Sequence, residues 1–195
     1  VFIGNIYALA QKKIMRMLAY SGVANSGFIF LAIFTSIDFN FSVAAFYVIT
    51  YTITTVSAIS IITFISSNKF DLVYIKDFKG LSSKSGLVSI LFMITLLSTA
   101  GIPITIGFYA KYLVLDALVS QNMIIIAVIV VLFTVIGLYY YLRVIWFMFF
   151  ETGFNSLIKV NGIYYLAVLS IIPFSIIAIF LFPEFAFNYL FLILA

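Results

Sequence analysis

Nine of the ten basic residues lie in polar segments or near the ends of apolar runs, and the tenth, Lys111, sits well inside one, eight residues after Pro103. An ammonium group at such a place costs at least about 2.5 to 3.5 kcal/mol on insertion scales, so it must face a wet or polar interior. A lysine held there can take up and release a proton, which an arginine cannot. Proton transfer inside a membrane is therefore the chemistry to look for. The same apolar run is interrupted by Gly101, Pro103 and Gly107. Proline removes one backbone donor and clashes with the preceding turn, so the run predicts a broken or strongly kinked membrane helix. Backbone groups freed between residues 100 and 107 must be satisfied by water, side chains or neighbouring helices, and Ser98, Thr99 and Thr105 bring hydroxyls to that place. Ser21, Asn25, Tyr51 and Thr54, in other apolar runs, are candidates to extend a hydrated path.

Blander readings stand beside each of these. Lys111 is nine residues from the turn at Ser120 and can snorkel towards headgroups. Pro103 can be a passive kink. Tyr47, Tyr51, Thr54 and Thr55, at helical spacing on one side of a run, can serve as packing glue between helices. Arg143 beside Tyr139, Tyr140 and Tyr141 reads as an interfacial anchor, and Asp116, near a run's end, pairs with Lys111 only if the kink brings them together.

The elements that must position these residues are membrane helices. Hydrophobic residues make up 66% of the 195 positions and charged residues 8%, with a mean hydropathy of +1.30, whereas a soluble domain carries about 25% charge. The expected fold is an all-α integral membrane protein with about five full transmembrane helices plus a partial first helix. Residues 1–11 are too short to cross about 30 Å of hydrocarbon at about 1.5 Å per residue. Full spans are expected over 18–37, 42–65, 123–150 and 163–182, and a broken one over 87–120. The polar stretch 66–86 contains LVYIKDFKGL, which can form a short amphipathic helix at the interface. Pro183 and Glu184 end the last span before an apolar tail, 183–195.

Every second loop is basic. Lys12, Lys13 and Arg16, then four Lys against two Asp in 66–86, then Lys159 with Arg143 alternate with loops holding Asp38, no charge, and Glu184. The positive-inside bias puts the basic loops on the matrix or cytoplasmic side and the C-terminus outside. They also offer a secondary contact for anionic lipid. The net charge of +4 is scattered over loops and argues against a nucleic-acid partner. No Cys and no His are present, which excludes disulfides, thiolate cluster ligation and imidazole metal or haem ligation, so no cofactor is expected in this chain. Nothing at the N-terminus is ordered like a cleavable signal, and the chain reads as starting inside a helix. Heavy use of Ile, Phe and Tyr hints at an AT-rich organelle genome.

Three stretches carry a resemblance: GNIYALAQKKIMRMLAYSGVANSGFIFLA from Gly4 to Ala32, LLSTAGIPITIGFYAKYLVL from Leu96 to Leu115, and GLYYYLRV from Gly137 to Val144. In order and spacing they resemble the antiporter-like membrane subunits of proton-pumping NADH:ubiquinone oxidoreductase, complex I, and within these the NADH dehydrogenase subunit 2 branch. The resemblance implies that the chain is one membrane domain corresponding to the C-terminal part of that fold: residues 1–149 the second of two inverted repeats, from the end of its first helix, and 163–182 the final helix. It implies that Lys111 is the proton-carrying lysine of the second broken helix, with the break at Gly101, Pro103 and Gly107, and that Asn25 and Thr105 lie along the path. The family usually has histidine where this chain has Asn25, and lysine at Met15. Asn cannot change charge, so a relay through position 25 needs water or another residue. The implied function is a proton half-channel in complex I of the mitochondrial inner membrane, with the redox chemistry elsewhere. The implied partners are other complex I membrane subunits, a separate chain carrying the N-terminal half, and membrane lipids, cardiolipin being the candidate. Two alternatives remain open: a component of a multi-subunit cation/proton antiporter, and a structural membrane subunit in which Lys111 is inert.

Overall fold

The computed structural model describes residues 1–36, 41–67, 73–153, 171, 173–176 and 181. The chain runs through α1 (Phe2–Ala10), α2 (Ile14–Phe34), α3 (Ser42–Ser67), a 3-10 turn (Ile75–Phe78), α4 (Leu81–Lys84), α5 (Gly86–Ala100), α6 (Ile106–Ser120) and α7 (Ile124–Phe150). Three of these helices, α2, α3 and α7, are each long and apolar enough to cross a membrane. α5 and α6 have 15 residues each, about 22 Å, so either alone falls short of the hydrocarbon thickness. The expected break therefore exists, between Ala100 and Ile106. The expected final span and tail, with Lys159, Glu184, Asp38 and Lys69, lie outside the described residues or largely so.

The helices bury polarity and expose apolar surface, as a chain solvated by lipid must. Phe30, Phe34, Ile125, Leu132 and Val135 are exposed, while Asn5, Ser21, Asn25, Thr54, Ser57, Thr95, Ser98 and Thr99 are buried. Interhelical hydrogen bonds such as Ser57 to Thr95 (3.0 Å) join α3 to α5. Two apolar cores lie along the bundle. One gathers Ile14, Met17, Ile61, Ile65, Phe78, Phe92, Val144 and Met148, and the other gathers Phe28, Ala32, Phe46, Ile106, Val114 and Val130. On α2, α3 and α7 the polar residues fall between these two sets in sequence, and so between the cores.

One end of the bundle is laced together through backbone. Ile14 donates to the Val73 carbonyl (3.1 Å) and Ile75 to that of Lys12 (2.9 Å), and Gly80 donates to Phe147 (3.0 Å) at the end of α7. Lys79 forms an ion pair with Glu151. Arg143 donates to the carbonyls of Leu9 (3.2 Å) and Gln11 (2.7 Å), so it caps α1 and holds the α1–α2 turn, a more specific task than anchoring at an interface. The described part of the LVYIKDFKGL segment, residues 73–81, is not one amphipathic helix. Asp77 accepts from the amides of Val73 and Tyr74, Tyr74 and Ile75 are drawn into the bridge with residues 12–14, and Gly80 in the left-handed region separates the turn from α4. Backbone pairing to the α1–α2 turn has replaced the helical ladder there.

At the other end, the Gln121 amide donates to the Thr35 carbonyl at 2.6 Å. Lys12 and Lys79 thus share one end, and Gln121 lies at the opposite end with the close of α2. Single cysteines placed in this Cys-free chain at Lys12 and Lys79 should react with an impermeant thiol reagent from one side of the membrane, and Gln121→Cys from the other. Labelling of Lys79→Cys and Gln121→Cys from the same side would refute the arrangement.

Candidate functional site

The break is built by residues that allow two helix ends to face one lysine. α5 ends at Ala100 because Gly101 takes φ 83°, its amide bonding back to the Leu97 and Ser98 carbonyls, the usual way a glycine closes a helix. Pro103 and Ile104, the latter at φ 82°, carry the chain across. A β-branched residue in that region is strained by about 1 to 3 kcal/mol. Thr105 then stands at the N-cap position of α6 without a side-chain cap bond, its hydroxyl donating to the Ile102 carbonyl at 2.7 Å. α6 starts hard against α5: a Cβ at Gly107 would overlap the Ser98 carbonyl, and the Gly107 amide donates to Ser98 Oγ at 3.3 Å.

One turn into α6, Lys111 folds back across the break. Its Nζ donates to the carbonyls of Thr99 (3.0 Å) and Ala100 (2.8 Å), the last of α5. These carry the negative end of the helix dipole, which favours a cation. Gly101 permits this route, since a Cβ there would lie 2.7 Å from Lys111 Cδ and 3.1 Å from Nζ. Nζ also lies 5.5 Å from the centre of the Phe28 ring. Among the described residues no carboxylate pairs with Lys111, and Asp116 is exposed. Snorkelling is not what this side chain does: it turns towards the middle of the bundle.

Two small cavities share Lys111, Thr99 and Asn25 in their walls. The first extends towards α3 and is lined also by Tyr47, Thr50, Tyr51, Thr54 and Ser98. The second extends towards α1 and α7, among Asn5, Phe28, Thr134, Gly137, Tyr140 and Tyr141. Each has room for about one water. The structure therefore brings together Lys111, Asn25, Ser98, Thr99, Tyr51 and Thr54. Thr105 lines neither cavity and spends its hydroxyl on the backbone.

Asn25 is held from both ends of its amide. Nδ2 donates to the Ser21 carbonyl at 2.9 Å, and Oδ1 accepts from Tyr47 at 2.8 Å. Tyr47 stacks on Phe28 at 5.5 Å between centroids, so the clamp also sets the ring beneath Lys111. In the sequence, the spacing of Tyr47 with Tyr51 and Thr54 reads as helix packing, and Tyr139, Tyr140 and Tyr141 beside Arg143 read as interfacial. Tyr139 is exposed, whereas Tyr140 and Tyr141 are buried beside the site. The readable signal was spacing, because Gly137, Tyr140, Tyr141, Val144 and Met148 recur at helical intervals and are all buried.

The family model for the transmembrane region of NADH:quinone oxidoreductase and Mrp antiporter matches residues 1–137. NADH-quinone oxidoreductase subunit N from Alkalilimnicola ehrlichii is 40% identical over 188 residues, covering 90% of this chain and 38% of the relative. The subunit N from Coxiella burnetii is 39% identical over 151 residues, 77% of this chain and 31% of its own. This chain thus spans less than two fifths of the length of these curated relatives. In the structure of respiratory complex I from Thermus thermophilus with bound Aureothin, one chain is 27% identical with a TM-score of 0.82, covering 96% of this chain and 42% of that one. A chain of the Mrp complex from Dietzia sp. DQ12-45-1b shares the fold, with a TM-score of 0.82 at 18% identity, over 97% of this chain and 43% of that one.

Replacing Tyr47 by Phe should leave Asn25 Oδ1 buried without its donor and lower the stability of the assembled protein by about 1 to 3 kcal/mol. A thermal melt of the purified complex in mild detergent would register the loss, and an unchanged melt would show that the clamp does not hold Asn25.

Proposed function

Because this chain belongs to the transmembrane family of NADH:quinone oxidoreductase and Mrp antiporter subunits, we propose that it is the C-terminal part of a subunit 2, the counterpart of subunit N, in the membrane arm of a proton-pumping complex I. Its task is to move protons through one half-channel centred on Lys111. The observation that carries this reading is the placement of Lys111: a lysine on the end carbonyls of a broken helix, with a polar cavity on either side.

The physical sequence is short. As an ammonium, Lys111 is solvated by Thr99 and Ala100. Loss of a proton through one cavity leaves a neutral amine, and a proton arriving through the other recharges it. Energy comes from quinone reduction in other chains, since this one has neither Cys nor His with which to hold a redox centre. Asn25 positions Phe28 and the cavity walls through Tyr47 and does not itself titrate. Residues 1–149 correspond to the second inverted repeat. The basic end, with Lys12 and Lys79, faces the mitochondrial matrix. The organelle setting rests on residue usage, and the relatives named above are bacterial.

A cation/proton antiporter component is the second reading, because the matching family takes in Mrp antiporter as well as NADH:quinone oxidoreductase. The higher sequence identities are with complex I chains. Co-purification with flavin and iron–sulfur proteins would support the first reading, and sodium-dependent proton exchange the second.

Lys111→Arg and Lys111→Met should both leave the complex assembled. Both should lower proton pumping and the coupled quinone-reductase rate, because Met never binds the proton and Arg hardly releases it. An artificial acceptor that bypasses quinone should still be reduced at the wild-type rate. An assembled Lys111→Arg complex that pumps normally would sink the proposal.

A further inference from the structure

The basic end of the bundle carries more positive charge than its own contacts use. Lys79 is paired with Glu151, but Lys12 and Lys76 make no ion pair among the described residues. Both are exposed, and both line a cleft of about 460 Å³ between the α1–α2 turn, the 3-10 turn and α7. Arg143 lines the same cleft. Its Nη1 and Nη2 hold the Leu9 and Gln11 carbonyls, which are neutral dipoles, and its Nε is buried without a hydrogen-bond partner among the described residues. The carboxylate in the cleft wall, Asp77, has Oδ2 engaged by the amides of Val73 and Tyr74. Three cations therefore share the cleft with one carboxylate that the backbone already occupies. Such a wall fits an anion.

A second feature begins at Arg143. The residue also lines a groove of about 520 Å³ between α1 and α7, together with Leu9, Ile136 and Tyr139. From Arg143 to Ile136 the helix axis advances by about 10 Å. α7 reaches the basic end at Phe147 and Glu151, so the groove descends from that end along a helix long and apolar enough to cross a membrane. A ligand that fills both places puts an anion among Lys12, Lys76 and Arg143 and an apolar chain along Leu9 and Ile136. A phospholipid with a net negative headgroup is built in that way. An inorganic anion would use the cleft alone, and an apolar peptide the groove alone. A zwitterionic headgroup would bring a further cation to a place that already holds three.

We infer that the cleft and the groove together form a binding site for one anionic phospholipid of the leaflet at the basic end. Its phosphate is held by Lys12, Lys76 and Arg143, and one acyl chain lies along Leu9, Ile136 and Tyr139. The inference rests on the membrane placement of the helices and is independent of what Lys111 does. It differs from the general attraction of basic loops to an anionic leaflet, in which every exposed lysine near the surface counts alike. Here Lys12 and Lys76 count, and Lys84, exposed in the same polar stretch as Lys76 but outside the cleft, does not. Arg143 belongs to both halves of the site and also holds the end of α1 against α7, so the lipid is a clasp over that contact.

The test uses the intact complex in phosphatidylcholine vesicles that contain either a phosphatidylglycerol or a phosphatidylcholine with a photoreactive group on one acyl chain. Cross-linked residues are read by peptide mass spectrometry. The phosphatidylglycerol should label Leu9, Ile136 or Tyr139 several-fold more strongly than the phosphatidylcholine. Lys12→Gln and Lys76→Gln change exposed side chains and should assemble. Each should lower that labelling about fivefold, the factor that corresponds to about 1 kcal/mol for a basic residue at a membrane surface. Lys84→Gln should leave it unchanged. Equal labelling by the two lipids, an equal loss with Lys84→Gln, or no loss with Lys12→Gln and Lys76→Gln overturns the site. Absence of label from these residues in the assembled wild type would show that another chain covers the groove, and overturns it as well. Displacement of the labelled lipid by inorganic phosphate would show that the cleft takes a free anion, against the lipid assignment. The reading of Lys111 survives each of these failures, because pumping by the Lys111 variants decides it separately.

Discussion

The arrangement depends on one contact: the ammonium of Lys111 on the last carbonyls of α5. Ending a helix inside a membrane leaves backbone acceptors with no water to turn to, and a charge inside a membrane has no counter-ion to turn to. Each solves the other's difficulty here. The Thr99 and Ala100 carbonyls receive the proton donors they lack, and the cation is solvated by the negative end of a helix without a carboxylate among the described residues. The pair needs Gly101 to let the lysine stem pass and Gly107 to bring α6 against Ser98. Either change to a larger side chain would move the charge away from the carbonyls.

Among the described residues Lys111 has no fixed counter-charge. A carboxylate would bind the ammonium in a charge-assisted pair, whereas the Thr99 and Ala100 carbonyls are neutral dipoles. The surrounding layer is then polar without being ionic. Tyr47, Asn25 and Ser21 form a closed clamp on one side, and Tyr140, Asn5 and Phe133 form another. Apolar cores above and below this layer keep it in register. Arg143 serves the same purpose from a distance: by gripping Leu9 and Gln11 it fixes α1, and with it Asn5, against α7.

The same scaffold is found in chains of a respiratory complex and of an Mrp complex, so the fold by itself does not choose between redox-driven pumping and ion exchange. Common to the scaffold described here is a lysine on a broken helix with a small cavity on each side.

Membrane class, the helix break and the importance of Lys111 were legible in the sequence, because each follows from a local property. Long apolar runs have to be helices in lipid, proline cannot continue the ladder, and a lone charge in a run needs a reason. Grouping of Lys12 with Lys79 and of Gln121 with the opposite end also follows, since loop ends alternate along a membrane chain. Only the tertiary structure decided what Lys111 touches. Its partners are backbone carbonyls eleven and twelve residues away, and a carbonyl carries no signature in side-chain type. Burial of Tyr140 and Tyr141 against exposure of Tyr139 depended on which face of α7 met α1 and α5, which three tyrosines in a row leave open. The failure of residues 73–81 to form one helix depended on the backbone of residues 12–14 arriving beside them, a partner sixty residues away that no local pattern announces.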